Sequence, residues 1–322
     1  MLLIPFFKIR FSQYQNEFMT SLPAFPEFKP VELSDRAFIS SRMEAYRPET
    51  SELSFTNLYI WWPYYRTQWS MMDDCLILLC RPLDDNPFFL PPLSTTARKE
   101  HVQTALTWLQ NETEGARPFI ERADTRLAGE LEKHSGFDIK PVRNHYDYIY
   151  RTEDLISLKG RKYHSKKNRL NKFNKTHVFR YLPLTPDLIP ACIEVHKRWC
   201  EDRECEKNPI MRAESQAVFE ILHNFHSLSV QGGVILLNNQ VEAFTVGELL
   251  NPEMAVIHVE KADPGIPELF TVINQQFAEH ALSGVPFINR EQDLGEHGLR
   301  RAKESYHPVT LQEKFRITLK QP

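Results

Sequence analysis

Glycine is what this chain lacks: eleven glycines stand against twenty-two prolines in 322 residues. A phosphate loop built from backbone needs closely spaced glycines, and neither G-x-G-x-x-G nor G-x-x-x-x-G-K-[ST] occurs in the sequence. Kinase, P-loop and dinucleotide-binding folds are therefore disfavoured, and any phosphate must be held by side chains and a helix end. Pro5, Pro23, Pro26 and Pro30 bias their predecessors away from helix, so residues 1–27 are expected to be an irregular lead-in. The apolar run at residues 1–7 has no basic residues before it and no small-residue cleavage pattern after it, which argues against a signal peptide. No stretch reaches the ~18–20 apolar residues of a membrane-spanning helix. Five cysteines, an odd number in a chain long enough to build a core without staples, fit a reducing compartment. A soluble, cytoplasmic protein is expected.

Length argues for about two domains, and the hydrophobic patterning gives two halves of one kind. The first is expected to contain a helix over 34–46 with Ser34 as its cap, strands over 75–81 and 88–90, and a helix over 94–110. A short strand over 118–122 follows, then a helix over 124–134 capped by Asp124, and one long strand over 137–151. The second is expected to contain helices over 186–205 and 213–228, then strands over 233–237 and 241–250 joined by residues 238–240. A strand over 254–261, a helix to about Leu282, a strand over 286–289, a helix over 298–305 and a strand over 309–319 complete it. The expected boundaries are 28–154 for the first domain and 155–322 for the second. No sequence identity links the halves.

Three segments are candidates for chemistry. Residues 159–180 contain nine Lys or Arg and no Asp or Glu, in a chain of net charge −3. Helices normally intersperse both signs, so this block is expected to bind an anionic partner such as a tRNA, a coenzyme or a lipid head group, through Lys162, Lys166, Lys167 and Asn168. The plain alternative is a solvated helix face, with Leu170 and Phe173 buried and Lys166, Lys167 and Lys172 outward. The second candidate is the strand, loop and helix from Ile257 to Asn274, where Gly265 precedes a helix N-terminus suited to a donor's anionic group. Glu260 and His258 alternate with Ile257 and Val259, which is expected to place both on one sheet face, with Glu260 as a general base. The third is the polar passage from Asn289 to Lys303. There Asp293 is a second carboxylate for proton transfer, and Arg300 and Lys303, three apart on a helix, could steady an oxyanion. His196, Cys200 and Cys205 lack the second spaced pair of a zinc site, so no metal is expected. Asn57 and Trp61, in the aromatic stretch 51–62, are expected to line a pocket.

The segments SELSFTNLYIW (51–61), LKGRKYHSKKNRLNKF (158–173) and INREQDLGEHGLRRAKESYHP (288–308) resemble an uncharacterised bacterial family related to the C-terminal domain of phosphatidylglycerol lysyltransferase. The resemblance implies an α+β fold of two tandem GNAT-like domains, each a mixed, mainly antiparallel sheet flanked by helices, similar to the Fem-type aminoacyltransferases. The family's late motif is matched by Gly298, Leu299, Lys303, Tyr306 and Pro308, which implies a site role for Arg300 and Lys303, with Tyr306 and Asn289 lining the pocket. It also implies transfer of an acyl or aminoacyl group from aminoacyl-tRNA or acyl-coenzyme A, with no tightly bound cofactor, to an amine or hydroxyl. An anionic lipid is one such acceptor, although the sequence carries no membrane-spanning half of the kind the full lysyltransferases have. The competing expectation is a non-catalytic module of the same fold that recognises an anionic partner.

Overall fold

A computed structural model of the chain describes residues 22–320 other than Glu114 and Ala116. The expected lead-in, as far as residue 21, lies outside the described residues. In chain order the first half gives β1 (Lys29–Pro30), α1 (Arg36–Tyr46), α2 (Phe55–Ile60), α3 (Trp62–Tyr65), β2 (Gln68–Met72), β3 (Cys75–Cys80) and β4 (Phe88–Phe89). Then come α4 (Lys99–Glu112), β5 (Ile120–Ala123), α5 (Thr125–Leu131), β6 (Phe137–Pro141), β7 (Asp147–Arg151) and α6 (Thr152–Ser157). The second half gives α7 (His164–Thr176), β8 (Phe179–Pro183), α8 (Ile189–Arg203), α9 (Pro209–His223), α10 (Phe225–Leu228), β9 (Gln231–Leu237), β10 (Gln240–Asn251) and β11 (Met254–Ala262). It closes with α11 (Leu269–His280), β12 (Phe287–Asn289), α12 (His297–Glu304), β13 (Thr310–Gln312) and β14 (Phe315–Leu319).

The strands form two seven-stranded sheets, in the orders β1-β2-β3-β4-β5-β14-β6 and β8-β9-β10-β11-β12-β7-β13. Position by position the pairing sense is the same: three antiparallel pairs, one parallel pair (β4 with β5, β11 with β12), then two antiparallel pairs. The halves are therefore a structural repeat that has exchanged strands. The last strand of the first half, β7, lies between β12 and β13; the last strand of the second, β14, lies between β5 and β6.

This exchange corrects two expectations. The single strand over 137–151 is two strands in different sheets, separated by a 3-10 turn at Arg143–His145 that follows Pro141. The single strand over 309–319 is likewise β13 and β14, with Lys314 at the crossing. The boundary at 154/155 falls inside α6, just past the first crossing. By sheet membership, neither unit is a continuous stretch of chain.

Local chemistry accounts for the element ends. Asp124 caps α5 by accepting from the Leu127 N–H at 2.9 Å, as expected. Ser34 does not cap α1. A 3-10 turn precedes that helix, and Asp35 is held there because its carboxylate accepts from the Glu32 N–H, Lys29 Nζ and Trp69 Nε1. The β9–β10 connection is two residues, not three: Asn238 and Asn239 both take positive φ, 50° and 66°, and Gln240 already pairs with Leu237. Strand β8 is an addition the sequence reading lacked.

The facing sides of the sheets share one core, in which Trp69, Leu76 and Leu78 meet Ile221, Val234, Phe244 and Val246. Helix α11 covers the far side of the second sheet with Leu269, Val272, Ile273 and Phe277. Among the described residues, no helix is long and apolar enough to cross a membrane.

Candidate active site

Strands β11 and β12 run parallel but pair at only three positions, Met254 with Phe287, Ala255 with Ile288 and Val256 with Asn289. β11 then continues along β10 to Ala262 while the chain leaves β12, so the two strands part and open a wedge at residue 257. Such a parting in a parallel pair exposes main chain and side chains in the middle of a sheet, where a ligand can enter.

A β-bulge directs side chains around this wedge. Val246 pairs with Val259 and Gly247 with Ile257, so His258 is the extra residue on β11. The alternation expected for His258 and Glu260 is broken: Ile257 and Glu260 face α11, whereas His258 and Val259 face the first half.

On the α11 face, Glu260 holds two partners. Its Oε2 accepts from Asn274 Nδ2 at 3.0 Å, and its Oε1 from Arg290 Nη2 at 2.9 Å. The Arg290 guanidinium lies over the rings of Tyr306 (4.7 Å) and Tyr150 (5.7 Å), and Lys166 Nζ lies 3.8 Å above Tyr306. Two polar atoms here are buried and have no hydrogen-bond partner among the described residues: Arg290 Nη1, a donor, and Asn274 Oδ1, an acceptor. Buried polar groups are nearly always paired, so these two atoms, on side chains bound to the same carboxylate, leave one donor and one acceptor open to a ligand. Burial, reinforced by Arg290 and Arg169, pushes the Lys166 ammonium down to about 8.

Beneath the wedge lies its support. Asp293 is fully buried and accepts from Arg300 Nε (2.8 Å) and Nη2 (2.9 Å), Tyr148 Oη (2.6 Å) and the Gly295 N–H (2.8 Å). Burial alone would raise its pKa; the hydrogen bonds from Arg300 and Tyr148 outweigh it and hold the carboxyl well below the usual range. Lys303 donates to the carbonyls of Arg290 and Gln292, each at 2.5 Å, and burial pushes it down to about 8. Asp293 and Arg300 thus satisfy each other, and Lys303 clamps the turn that carries Arg290. Asn289 is likewise committed, to the Glu291 N–H at 2.7 Å and to Asp147 at 2.9 Å.

On the opposite face, His258 is sandwiched between two carboxylates, Nδ1 to Glu291 and Nε2 to Glu248, both at 2.9 Å. Thr56 donates to Glu248 at 3.1 Å and Asn57 to Glu291 at 3.4 Å, so the first half reaches this cluster through α2. A cleft of about 270 Å³ between the halves is lined by Thr56, Phe55, Glu44 and Glu248. Burial on its own would lower the His258 pKa; the hydrogen bonds to Glu248 and Glu291 overcome it and raise it from 6.5 to about 9. The folded state thus binds this proton more tightly than the unfolded chain. The stabilisation is complete below pH 6.5 and is lost as the pH climbs through 9. Urea unfolding should therefore lose on the order of 3 kcal/mol between pH 6 and pH 10, and His258→Gln should flatten that decline.

The expected residues are brought together in part. Glu260, Lys166 and Tyr306 meet in the wedge, and Asp293, Arg300, Lys303 and Asn289 form its base. Lys166 is not outward as the helix pattern suggested; α7 buries Phe173 and turns Lys166 over Tyr306, leaving Lys167 exposed. Lys162 pairs with Asp154 at 3.3 Å, Asn168 with His164 at 3.3 Å, and Gly265 N–H with Asp263 at 2.7 Å, all at the surface. Asn57 reaches the other face of the sheet, and Trp61 packs on Tyr65 in the shared core. Sequence reasoning missed Arg290 and Asn274. Arg290 stands directly after a strand end within the late motif, and that position was its only signal. His196 meets Ser215 at 2.9 Å, and among the described residues no three His, Cys, Asp or Glu side chains are placed to hold a metal ion.

Comparison with known proteins adds to this geometry. The family described as phosphatidylglycerol lysyltransferase, C-terminal, matches residues 43–318. A conserved protein of unknown function from Bacteroides thetaiotaomicron is 33% identical, with 93% of this chain and 100% of that one covered and a TM-score of 0.85. The structure of L-PGS from Bacillus licheniformis is 13% identical, with 89% and 93% covered and a TM-score of 0.61. A tandem GNAT protein from the clavulanic acid biosynthesis pathway is 8% identical, with 92% and 99% covered and a TM-score of 0.50. No curated protein matches.

Proposed function

The chain belongs to the family of the phosphatidylglycerol lysyltransferase C-terminal domain, an aminoacyl- and acyltransferase family, and from that premise we propose that it moves an aminoacyl group from an aminoacyl-tRNA to an amine or hydroxyl acceptor. The observation that carries this reading is the pair of orphans on Glu260, Arg290 Nη1 and Asn274 Oδ1. An α-aminoacyl ester offers what the pair requires: an ammonium to donate to Asn274 and the adjoining carboxylate, and a carbonyl oxygen to accept from Arg290. A plain acyl thioester supplies only the second.

In this reading the acceptor's nitrogen or oxygen attacks the ester carbonyl. The carbonyl oxygen takes up negative charge, which Arg290 steadies. The acceptor's proton passes to Lys166, part of which is neutral near pH 8, and from there to the departing ribose oxygen. Glu260 orients Arg290 and Asn274; Asp293, Arg300 and Lys303 fix the turn behind them. The exposed cations of α7, Lys167 among them, face the donor's phosphates.

Incubation with a labelled mixed aminoacyl-tRNA pool tests the reading, with transfer to amines and alcohols as the readout; a protein that leaves every aminoacyl ester intact does not have this function. Lys167→Ala combined with Arg169→Ala, both exposed on α7, should weaken tRNA binding about five- to twentyfold at moderate salt. The slope of log affinity against log salt should flatten by roughly one to two. Filter binding across a salt series measures both.

A further inference from the structure

The turn after β12 sends consecutive side chains to opposite faces of the second sheet: Arg290 into the wedge against Glu260, Glu291 out to His258. It does so through a left-handed residue, because Glu291 has φ of 55°. A carboxylate-bearing residue adopts that conformation only at a cost, so the surroundings must hold it. Main-chain contacts fix part of the turn, with the Arg290 N–H on the Tyr148 carbonyl at 3.0 Å and Lys303 on the carbonyls either side of Glu291. The Glu291 side chain itself is held by His258 at 2.9 Å and by Asn57 at a longer 3.4 Å. His258 stands on that face because it is the bulged residue of β11, and its other nitrogen is anchored by Glu248.

We propose that His258 is a positioning residue for the transfer: by gripping Glu291 from the far face of the sheet, it locks the turn and aims the Arg290 guanidinium into the wedge. The inference rests on the assignment of Arg290 to the donor site. Without the imidazole, the half-buried Glu291 carboxylate loses its strongest partner. The other cation its charge bears on is Lys303, which holds the carbonyls either side of it, so relaxation of Glu291 toward that ammonium shifts the turn and draws Arg290 off Glu260.

Crystal structures and kinetics of His258→Gln test this. Arg290 is expected to lose its hydrogen bond to Glu260, and kcat for turnover of the mixed aminoacyl-tRNA pool to fall ten- to a hundredfold. KM should stay within about threefold, and His258→Lys, which restores a cation, should recover most of kcat. Glu248→Gln, at the other end of the cluster, serves if His258→Gln does not fold, and should act in the same direction with a smaller loss. An unmoved Arg290 with unchanged kcat in the folded variant overturns the proposal. The Arg290–Glu260 geometry is read without substrate. Full activity in Arg290→Ala would therefore remove the donor-site reading alone, leaving the link from His258 to Arg290 to stand or fall on the crystal structure.

Discussion

Lys314→Met is expected to destabilise the protein by about 3–5 kcal/mol, the cost of leaving buried carboxylates without their cation. Lys314 is fully buried and donates to both oxygens of Glu52, at 2.7 and 2.6 Å, to Asp147 at 2.6 Å and to Gln292 at 2.9 Å. Asp147 in turn accepts from the Ser51 N–H at 2.8 Å and from Asn289 at 2.9 Å. The position explains the arrangement. Asp147 opens β7 and Lys314 immediately precedes β14, so the two places where the chain crosses between sheets are joined to each other by one ion pair. Methionine fills the volume but leaves Asp147 with neutral partners alone and Glu52 with only the Arg122 guanidinium at 3.5 Å. The double change Lys314→Met, Asp147→Asn should recover most of the loss, because it removes that ion pair whole and leaves Glu52 with Arg122. Urea unfolding of the three forms measures it; a loss under 1 kcal/mol in the single variant would show that the network contributes nothing.

Arg290→Ala is expected to lower kcat for aminoacyl transfer by about 10²–10³, the usual cost of losing a donor aimed at a developing oxyanion, with a much smaller change in KM. Arg290→Lys should not restore it. An ammonium can take the Glu260 contact at 2.9 Å but cannot hold a second N–H fixed in the same plane. Steady-state kinetics on the aminoacyl-tRNA pool decides the matter, and a loss of less than tenfold in Arg290→Ala would move the oxyanion role elsewhere. Arg300→Ala should behave differently. Its guanidinium is spent on Asp293 and Asn144, so the change takes the closest cation from a buried carboxylate, leaving Arg143 at 3.3 Å, and should show first as lost stability.

What the sequence made legible is what local chemistry decides. Asp124 announces its helix because a short carboxylate before an apolar-periodic run satisfies a free N–H, and Phe173 announces the buried side of α7 by spacing. The two-halved plan was legible from the order of elements, and the resemblance of three segments pointed to the fold. Partners distant in sequence were not legible. Lys314 lies 262 residues from Glu52 and 167 from Asp147, and nothing local marks it as buried. Strand exchange was invisible because β7 and β14 each read as the continuation of a strand before it. The bulge at His258 also left no pattern, since Val-Ile-His-Val-Glu alternates on paper and only the register with β10 reveals the extra residue. Consequently the sequence singles out Glu260 but not its two partners in the wedge, Asn274 and Arg290. The charges of the late motif stand out in the sequence, but nothing local shows that Asp293 and Arg300 are bound to each other.

The central claim, that the wedge is built for an aminoacyl ester, is tested most directly by calorimetric titration with stable amide analogues. These join each of the amino acids to 3′-amino-3′-deoxyadenosine, and each is compared with its N-acetylated form. At least one free-amine analogue should bind ten times or more tightly than its acetylated counterpart, and Asn274→Ala should abolish that preference. Equal binding of the two forms, or binding of acetyl-coenzyme A in place of every analogue, would contradict it.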